Sequence, residues 1–144
     1  MKPILFIGNP KAGRGAWGSV AGAIARAGLD ADLLTTERPG HAVGLARDAR
    51  RTGAEMVVAV GGDGTVNEVV NGLLADGPGN DVPVLGVVPA GSGCDYAKTF
   101  DIPSDVEAAV RLLASDAPVR MVDAGEISFA GQRRYFANIA EVGV

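Results

Sequence analysis

The stretch Met56–Thr65 reads MVVAVGGDGT and joins an apolar run directly to a glycine-rich turn. The run Met56–Val60 predicts a buried strand. In the turn Gly61–Gly64, three of the four residues lack a side chain, so we expect positive φ angles and backbone N–H groups that approach a bulky anion. The fourth residue, Asp63, suits either the Mg²⁺ that accompanies nucleotides or a hydroxyl that must lose its proton. The turn is therefore predicted to hold phosphate.

A helix is predicted to begin at this turn. Thr65 and Glu68 have the spacing of a capping box, in which the two side chains bond free N–H groups at the helix start. Apolar residues then recur on one helical face, at Val66, Val69, Val70, Leu73 and Leu74. The N-terminal N–H groups and the dipole of this helix would point at an anion held by the glycines. The alternative is a plain strand-to-helix connection, which gains nothing from two adjacent glycines, an acid and a third glycine.

The composition excludes several classes of protein. At 144 residues the chain is one ordinary domain. Its single cysteine, Cys94, permits no internal disulfide and favours a reducing compartment. A formal net charge of −4 gives no basic surface for nucleic acid. The N-terminus lacks a signal-peptide pattern, and no apolar run is long enough to span a bilayer. We therefore expect a cytoplasmic protein without a transmembrane segment, whose membrane contact would be peripheral.

Strand and helix patterns alternate along the chain. Apolar runs predict strands at Ile4–Ile7, Asp32–Thr36, Met56–Val60 and Val84–Val88. Helices are predicted over Gly18–Ala27 and Ala42–Arg51, behind the glycine turn, and after a second capping box formed by Ser104 and Glu107. The tail from 120 to 144 predicts two or three strands around a turn at Ala130 and Gly131. Continuous apolar strands separated by helices indicate an α/β fold of three layers, a parallel sheet with helices on both faces.

In such a sheet, ligands bind outside the carboxyl ends of the strands. Four of the predicted strand ends carry unusual loops, which span Gly8–Gly15, Thr35–Arg38, the glycine turn and Pro89–Asp95. Together they offer backbone donors, the positive charges of Lys11 and Arg14, hydroxyls and carboxylates, which is the equipment for a nucleoside triphosphate with its metal. The Gly-Lys-Ser/Thr of a Walker A loop is absent, which excludes the P-loop fold, and the first turn carries no Rossmann fingerprint.

Four motifs resemble, in order and spacing, those of the diacylglycerol kinase catalytic family. They are Asn9–Gly13, Thr36–Ala42, Gly61–Leu73, which matches the family's GGDGTxNEVxNGL almost letter for letter, and Pro89–Phe100. Val122–Gly125 and Phe136–Asn138 fit the strands that lead out of the family's N-terminal nucleotide-binding domain. This family includes bacterial lipid kinases and sphingosine and ceramide kinases. It is distantly related to NAD kinases and phosphofructokinases, so the resemblance implies an N-terminal domain with their fold.

The resemblance implies ATP and Mg²⁺ as cofactors and assigns residues to the site. Contacts with ATP are expected from Asn9, Lys11, Thr36, Gly61, Gly62, Asp63, Gly64, Thr65, Asn67, Glu68 and Ser92. Asp63 would lie where the acceptor hydroxyl meets the γ-phosphate, with an essential electrostatic role; whether it is also the base stays open. Asp95 belongs to the loop that faces the acceptor substrate. No set of protein metal ligands is predicted.

Two positions depart from the family pattern. Ser92 replaces a threonine and keeps its hydroxyl. Cys94 stands where the family prefers asparagine, and a thiol is a weak donor and a weak acceptor. This change would weaken the order of the loop or lower activity, although a small buried thiol that simply packs is the favoured interpretation.

Family members continue into a β-rich second domain, which supplies further Mg²⁺ ligation, a catalytic carboxylate and much of the lipid site. We therefore expect residues 1–144 to form the ATP-binding domain alone, to bind nucleotide weakly at best, and to transfer phosphate negligibly. The parent protein would be an ATP-dependent kinase of diacylglycerol or a related lipid at a membrane surface. The alternatives are a nucleotide-binding module without catalysis and an NAD kinase-like enzyme, and Pro89–Ala97 argues against the latter. The sequence does not specify an oligomeric state.

Overall fold

The computed structural model describes residues 3–11, 15–90 and 94–137. Six strands are present in these ranges: β1 (Ile4–Gly8), β2 (Ala31–Thr35), β3 (Met56–Gly61), β4 (Val84–Pro89), β5 (Gly125–Phe129) and β6 (Gln132–Phe136). The helices are α1 (Ala16–Ala27), α2 (His41–Arg51), α3 (Asp63–Leu73), α4 (Asp95–Thr99) and α5 (Val106–Ala114). The bounds of the four strands predicted before position 90 are correct to within one residue.

The first four strands form one parallel sheet in the order β2-β1-β3-β4. Side chains alternate between its two faces. Phe6 and Val58 belong to one buried cluster and Ile7 and Val57 to another, and all four have no exposed surface. Because both faces are covered, the inner strands β1 and β3 carry apolar residues throughout rather than at every second position. The predicted parallel sheet is confirmed.

The helices divide into two layers. α1 and α5 contact each other on one face of the sheet, and α2 and α3 contact each other on the opposite face. Arg26 of α1 and Glu107 of α5 form a two-pronged ion pair with N···O distances of 2.9 and 2.6 Å. The predicted three-layer α/β architecture is therefore confirmed.

Both predicted capping boxes are wrong. α3 begins at Asp63 with Gly62 as its N-cap and without a side-chain cap, so Thr65 already lies inside the helix. The extended backbone of Gly62 (φ −98°) brings Asp63 straight into the first turn. At α5 the N-cap is Asp105, whose Oδ2 accepts the N–H of Ala108 at 2.9 Å. Glu107 cannot close a box there because its carboxylate pairs with α1.

The segment after β4 contains α4, a short helix that the sequence does not predict. The tail forms an antiparallel hairpin of β5 and β6, as predicted. Ala130 (φ 51°) and Gly131 (φ 76°) make its turn, both in the left-handed region typical of two-residue hairpin turns. A third tail strand would fall beyond position 137, outside the described residues. Within the described ranges, no helix combines the length and apolarity needed to cross a bilayer.

We expect Gly72→Ala to destabilise the protein by about 1–3 kcal/mol, the usual cost of overpacking a core. A Cβ at Gly72 would lie 2.2 Å from the carbonyl oxygen of Val43 and 2.7 Å from the Cβ of Ala46, so α3 could not approach α2 as closely. Gly44→Ala in α2 is the matched control, because open space surrounds its Cβ position. Alanine there should stabilise the helix by about 0.5–1 kcal/mol. Urea unfolding of both variants measures the difference, and equal effects would contradict this account of the helix contact.

Candidate functional site

The carboxyl ends of the four parallel strands meet at one edge of the sheet. Gly8 pairs with Thr35 on one side and Val60 on the other, and Gly61 pairs with Pro89. From β1 the chain continues to β2 on one side of the sheet, whereas from β3 it continues to β4 on the other. The loops after β1 and β3 therefore diverge at a topological switch point, where open α/β sheets bind ligands.

The glycines of the turn differ in backbone conformation. Gly61 has the predicted positive φ (159°), a value that L side chains rarely adopt, whereas Gly62 has a negative φ of −98°, so the prediction is correct at Gly61 and wrong at Gly62. A Cβ at Gly61 would lie 2.5 Å from Oγ1 of Thr65, which excludes any side chain at this position. Among residues 3–11, 15–90 and 94–137, no atom outside their chain neighbours and their own helix lies within 4 Å of the Cβ positions of Gly62 and Gly64. In this part of the chain, the surface of the two glycines is open to a ligand.

Backbone donors that have no acceptor within their own helix lie beside this open surface. The first intrahelical bond of α3 runs from the N–H of Val66 to the carbonyl of Gly62, at 3.1 Å. The N–H groups of Asp63, Gly64 and Thr65 precede it and have no acceptor within the helix. Because the positive end of the helix dipole lies here as well, the turn is suited to an anion.

The carboxylate of Asp63 fastens this turn to α4. Its Oδ2 accepts the N–H of Asp95 and its Oδ1 accepts the N–H of Tyr96, each at 3.0 Å. Burial by itself would raise the pKa of Asp63. The N–H donors of Tyr96 and Asp95, the thiol of Cys94 and the charge of Lys98 outweigh it and hold the pKa below its ordinary value of 3.8. An acid with a lowered pKa is a weak base, and both of its oxygens already accept hydrogen bonds.

Cys94 is a small buried thiol, as favoured from the sequence. It is 4% exposed and occupies the N-cap of α4. Burial raises the pKa of its thiol, and the neighbouring Asp63 carboxylate raises it further. The thiol therefore stays protonated, and its proximity helps to lower the pKa of the Asp63 carboxylate.

The predicted residues near β1 lie at the same edge of the sheet. The side chain of Asn9 accepts the N–H of Lys11 at 2.9 Å, which makes a local turn at the exposed end of β1. The N–H of Thr36 donates to the carbonyl of Gly8 at 2.9 Å and holds Thr36 beside that turn. The structure therefore brings Asn9, Lys11 and Thr36 to neighbouring strand ends. Arg14 lies outside the described residues.

The remaining predicted residues lie on α3 and α4. Asn67 is exposed, whereas Glu68 is half-buried and its Oε1 is a buried atom without a hydrogen-bond partner among the described residues. Asp95 is exposed, with its Oδ1 3.9 Å from Nζ of Lys98. Ser92 lies outside the described ranges. In the part of the chain that the structure describes, no three histidine, cysteine, aspartate or glutamate side chains converge on a metal position.

Sequence reasoning missed Tyr96 as a partner of Asp63. The contact is made by its backbone N–H, which any residue except proline would supply at this position. No side-chain pattern could have revealed it. The available signal was the family motif itself, which places the two segments in one protein without showing that they touch.

An open parallel sheet with a glycine turn and a helix N-terminus at its switch point defines a class of α/β proteins that bind phosphate-bearing ligands. Within this class, the diacylglycerol kinase catalytic domain matches residues 3–127. The chain belongs to this kinase family.

Individual relatives agree with this membership. A diacylglycerol kinase of Staphylococcus haemolyticus is 38% identical over 118 residues, which cover 82% of this chain and 33% of the relative. A diacylglycerol kinase of Bacillus subtilis is 34% identical over 147 residues, covering 99% and 46%. A crystal structure of a diacylglycerol kinase from Bacillus anthracis aligns with a TM-score of 0.76 at 29% identity, covering 92% and 45%. The chain therefore spans less than half the length of these relatives.

We expect Asp63→Asn to destabilise the protein by about 1–2 kcal/mol at neutral pH, because the amide offers one acceptor and sets N–H groups against N–H groups. A folded-state pKa below 3.8 means that the stability contributed by ionised Asp63 is complete above that value and is lost as the pH falls through the folded-state pKa. Urea unfolding at about pH 7 and about pH 3 measures the difference in free energy of unfolding between the wild type and the variant, which should be smaller at the lower pH. A difference that stays constant or grows in acid would contradict the hydrogen bonds to the Asp63 carboxylate.

We expect Cys94→Asn to stabilise the protein by about 0.5–1 kcal/mol, because asparagine is a far better N-cap for α4 and a stronger donor to Asp63. Cys94→Ala is the control, since it removes the thiol without supplying a cap. Thermal unfolding should rank the three proteins with asparagine first and alanine last. A cost from asparagine as large as that from alanine would show that packing of the thiol outweighs capping.

Proposed function

We propose that residues 1–144 are the ATP-binding domain of a lipid kinase, which transfers the γ-phosphate of ATP to a hydroxyl of diacylglycerol or a related lipid. The observation that carries the proposal is the open surface of Gly62 and Gly64 at the start of α3, directly beside the carboxylate that holds α4. Membership of the diacylglycerol kinase catalytic family supports the choice of reaction.

The described residues fit a nucleoside triphosphate. The N–H groups at the start of α3 would receive phosphate oxygens, Gly62 and Gly64 leave room for them, and Gly61 makes room for the side chain of Thr65. Lys11 would add positive charge from the end of β1, with Asn9 and Thr36 on neighbouring loops. Thr65, Asn67, Glu68 and Ser92 complete the proposed ATP contacts.

Mg²⁺ fits as a partner of the ATP phosphates, because this ion commonly binds through one or two carboxylates together with phosphate oxygens. When bound, it would neutralise charge that develops on the transferred phosphoryl group. A cage made by the protein alone has no counterpart among residues 3–11, 15–90 and 94–137, where no cluster of three candidate ligands exists.

Asp63 would act by electrostatics and positioning rather than as the base. Its lowered pKa keeps it ionised, and its bonds to Asp95 and Tyr96 fix α4 at the edge of the site. α4 would then face the acceptor lipid, with Asp95 exposed toward it. The groups that complete the lipid site and accept the hydroxyl proton would come from a β-rich second domain, since the chain spans less than half the length of its relatives.

The lipid acceptor places the reaction at a membrane surface, where we propose that a cytoplasmic protein makes peripheral contact. A nucleotide-binding module without catalysis is the second candidate for the 144 residues alone. It is favoured by the coverage of only part of each relative, 33% and 46% of the two named diacylglycerol kinases. Both candidates predict ATP binding, and only the first predicts phosphoryl transfer at the full encoded length.

A phosphorylation assay with labelled ATP and a panel of lipids in mixed micelles tests the function in the protein at its full encoded length. We expect a lipid product, and we expect Asp63→Asn to lower kcat by about 100-fold or more, the usual scale for losing a preorganised electrostatic contact. Asp105→Asn is the matched control, because Asp105 also accepts a backbone N–H at a helix start, on the far α5. Its kcat should stay within about twofold of the wild type, since it lies outside the site.

Each other outcome of this assay has a distinct meaning. Full activity of Asp63→Asn would remove Asp63 from the mechanism. Phosphorylation of NAD without any lipid product would overturn the substrate class. Binding of ATP by calorimetry with no acceptor phosphorylated would support the module without catalysis. Turnover of diacylglycerol by the 144 residues alone would show that no second domain is needed.

A further inference from the structure

The side chain of Asn71 bonds the hairpin as a neighbouring strand would. Its Nδ2 donates to the carbonyl oxygen of Tyr135 and its Oδ1 accepts the N–H of the same residue, both at 2.8 Å. Only one orientation of the amide satisfies both bonds, because one atom must donate and the other must accept. In β6, Tyr135 thus has both backbone groups satisfied by a residue 64 positions earlier in the chain.

The amide is also held within its own helix. Nδ2 of Asn71 donates to the backbone carbonyl of Asn67 at 2.9 Å, one turn earlier in α3. This second bond already restricts the rotamers of the Asn71 side chain within α3. The contact with β6 therefore costs less side-chain entropy. A residue that lacked either the donor or the acceptor would leave a polar group of Tyr135, which is 8% exposed, without its partner.

The helix α3 bonds both α4 and the β5–β6 hairpin. Asp63, its first residue, bonds α4, and Asn71, near its end, bonds β6. The ring of Tyr135 lies in the buried cluster that also contains Cys94 and Tyr96. The position of the hairpin is therefore linked to that of α4 through one rigid helix and one shared core.

We propose that Asn71 is a positioning residue: it fixes the β5–β6 hairpin to α3 and thereby keeps α4 in place beside Asp63. The structural part of this proposal stands on the bonds of Asn71 alone. Its consequence for catalysis rests on the proposed lipid kinase function, in which α4 faces the acceptor. Loss of the amide should therefore affect the lipid substrate and leave ATP affinity almost unchanged.

Hydrogen exchange measured by mass spectrometry tests the structural part. Asn71→Ala should raise exchange about tenfold or more in peptides covering β6, because two hydrogen bonds are lost. It should also raise exchange in peptides covering α4. Asn71→Asp tests the donor separately, since it keeps the acceptor for the N–H of Tyr135 and sets a carboxylate oxygen against the carbonyl oxygens of Tyr135 and Asn67. A rise confined to β6 would overturn the link to α4, and no rise at all would overturn the contact.

Arg51→Gln is the matched control. It breaks the two-pronged ion pair of Arg51 with Asp76, at 2.8 and 2.9 Å, which also connects residues far apart in the chain. This pair lies at the far end of α2 from the site, so its loss should leave exchange in β6 and α4 within about twofold of the wild type. Equal increases in the control and the Asn71 variants would show general loosening and overturn the proposal.

Kinetics at the full encoded length test the consequence for catalysis. For Asn71→Asp we expect kcat/KM for the lipid to fall about tenfold or more while KM for ATP stays within about twofold, a split that general destabilisation would not produce. Unchanged lipid turnover would overturn the catalytic part. If the wild type phosphorylates no lipid, the proposed function fails, and hydrogen exchange alone then decides whether Asn71 positions α4.

Discussion

The candidate site depends on the bonds between the carboxylate of Asp63 and the first N–H groups of α4. α4 has five residues, far fewer than a helix needs to be stable by itself in water. It exists here because Asp63 accepts two of its unpaired donors and because Tyr96 and Ala97 pack into the core. The segment after β4 thus takes its position from the turn after β3, which joins two loops that lie more than 30 residues apart.

The glycines of the motif perform three separate tasks along one helix. Gly61 makes room for the side chain of Thr65, Gly62 and Gly64 leave the helix start open, and Gly72 lets α2 approach. Asn71, within the same motif, bonds the hairpin. The stretch therefore combines a helix start suited to an anion at one end with two contacts to other elements at the other. The conformational freedom of glycine, expected throughout the turn from the sequence, is used at Gly61, whose φ is 159°.

The sequence predicted the sheet well because buried parallel strands are continuous apolar runs, and Met56–Val60 or Val84–Val88 have few other interpretations. It also placed the functional loops at one edge, since topology follows from the alternation of strands and helices. The predicted start of α5 is wrong because a distant residue binds the side chain that the capping box requires. Glu107 fits a capping box by spacing, but Arg26, 81 residues earlier, binds its carboxylate. Contacts made through the backbone, such as that of Asp63 with the N–H of Tyr96, do not depend on residue type and cannot be predicted from it.

An ionised carboxylate beside a helix start suited to anions raises an electrostatic problem. Two unit charges 4 Å apart in the outer layers of a protein repel by about 4 kcal/mol. Several groups around Asp63 offset this repulsion. They are the N–H groups of α4, the nearby thiol of Cys94 and the more distant positive charge of Lys98. These groups spread the negative charge of Asp63, while the free N–H groups of α3 remain available for an incoming anion. Asp63 can therefore stay ionised at this edge of the sheet while the helix start beside it keeps the donors that suit an anion.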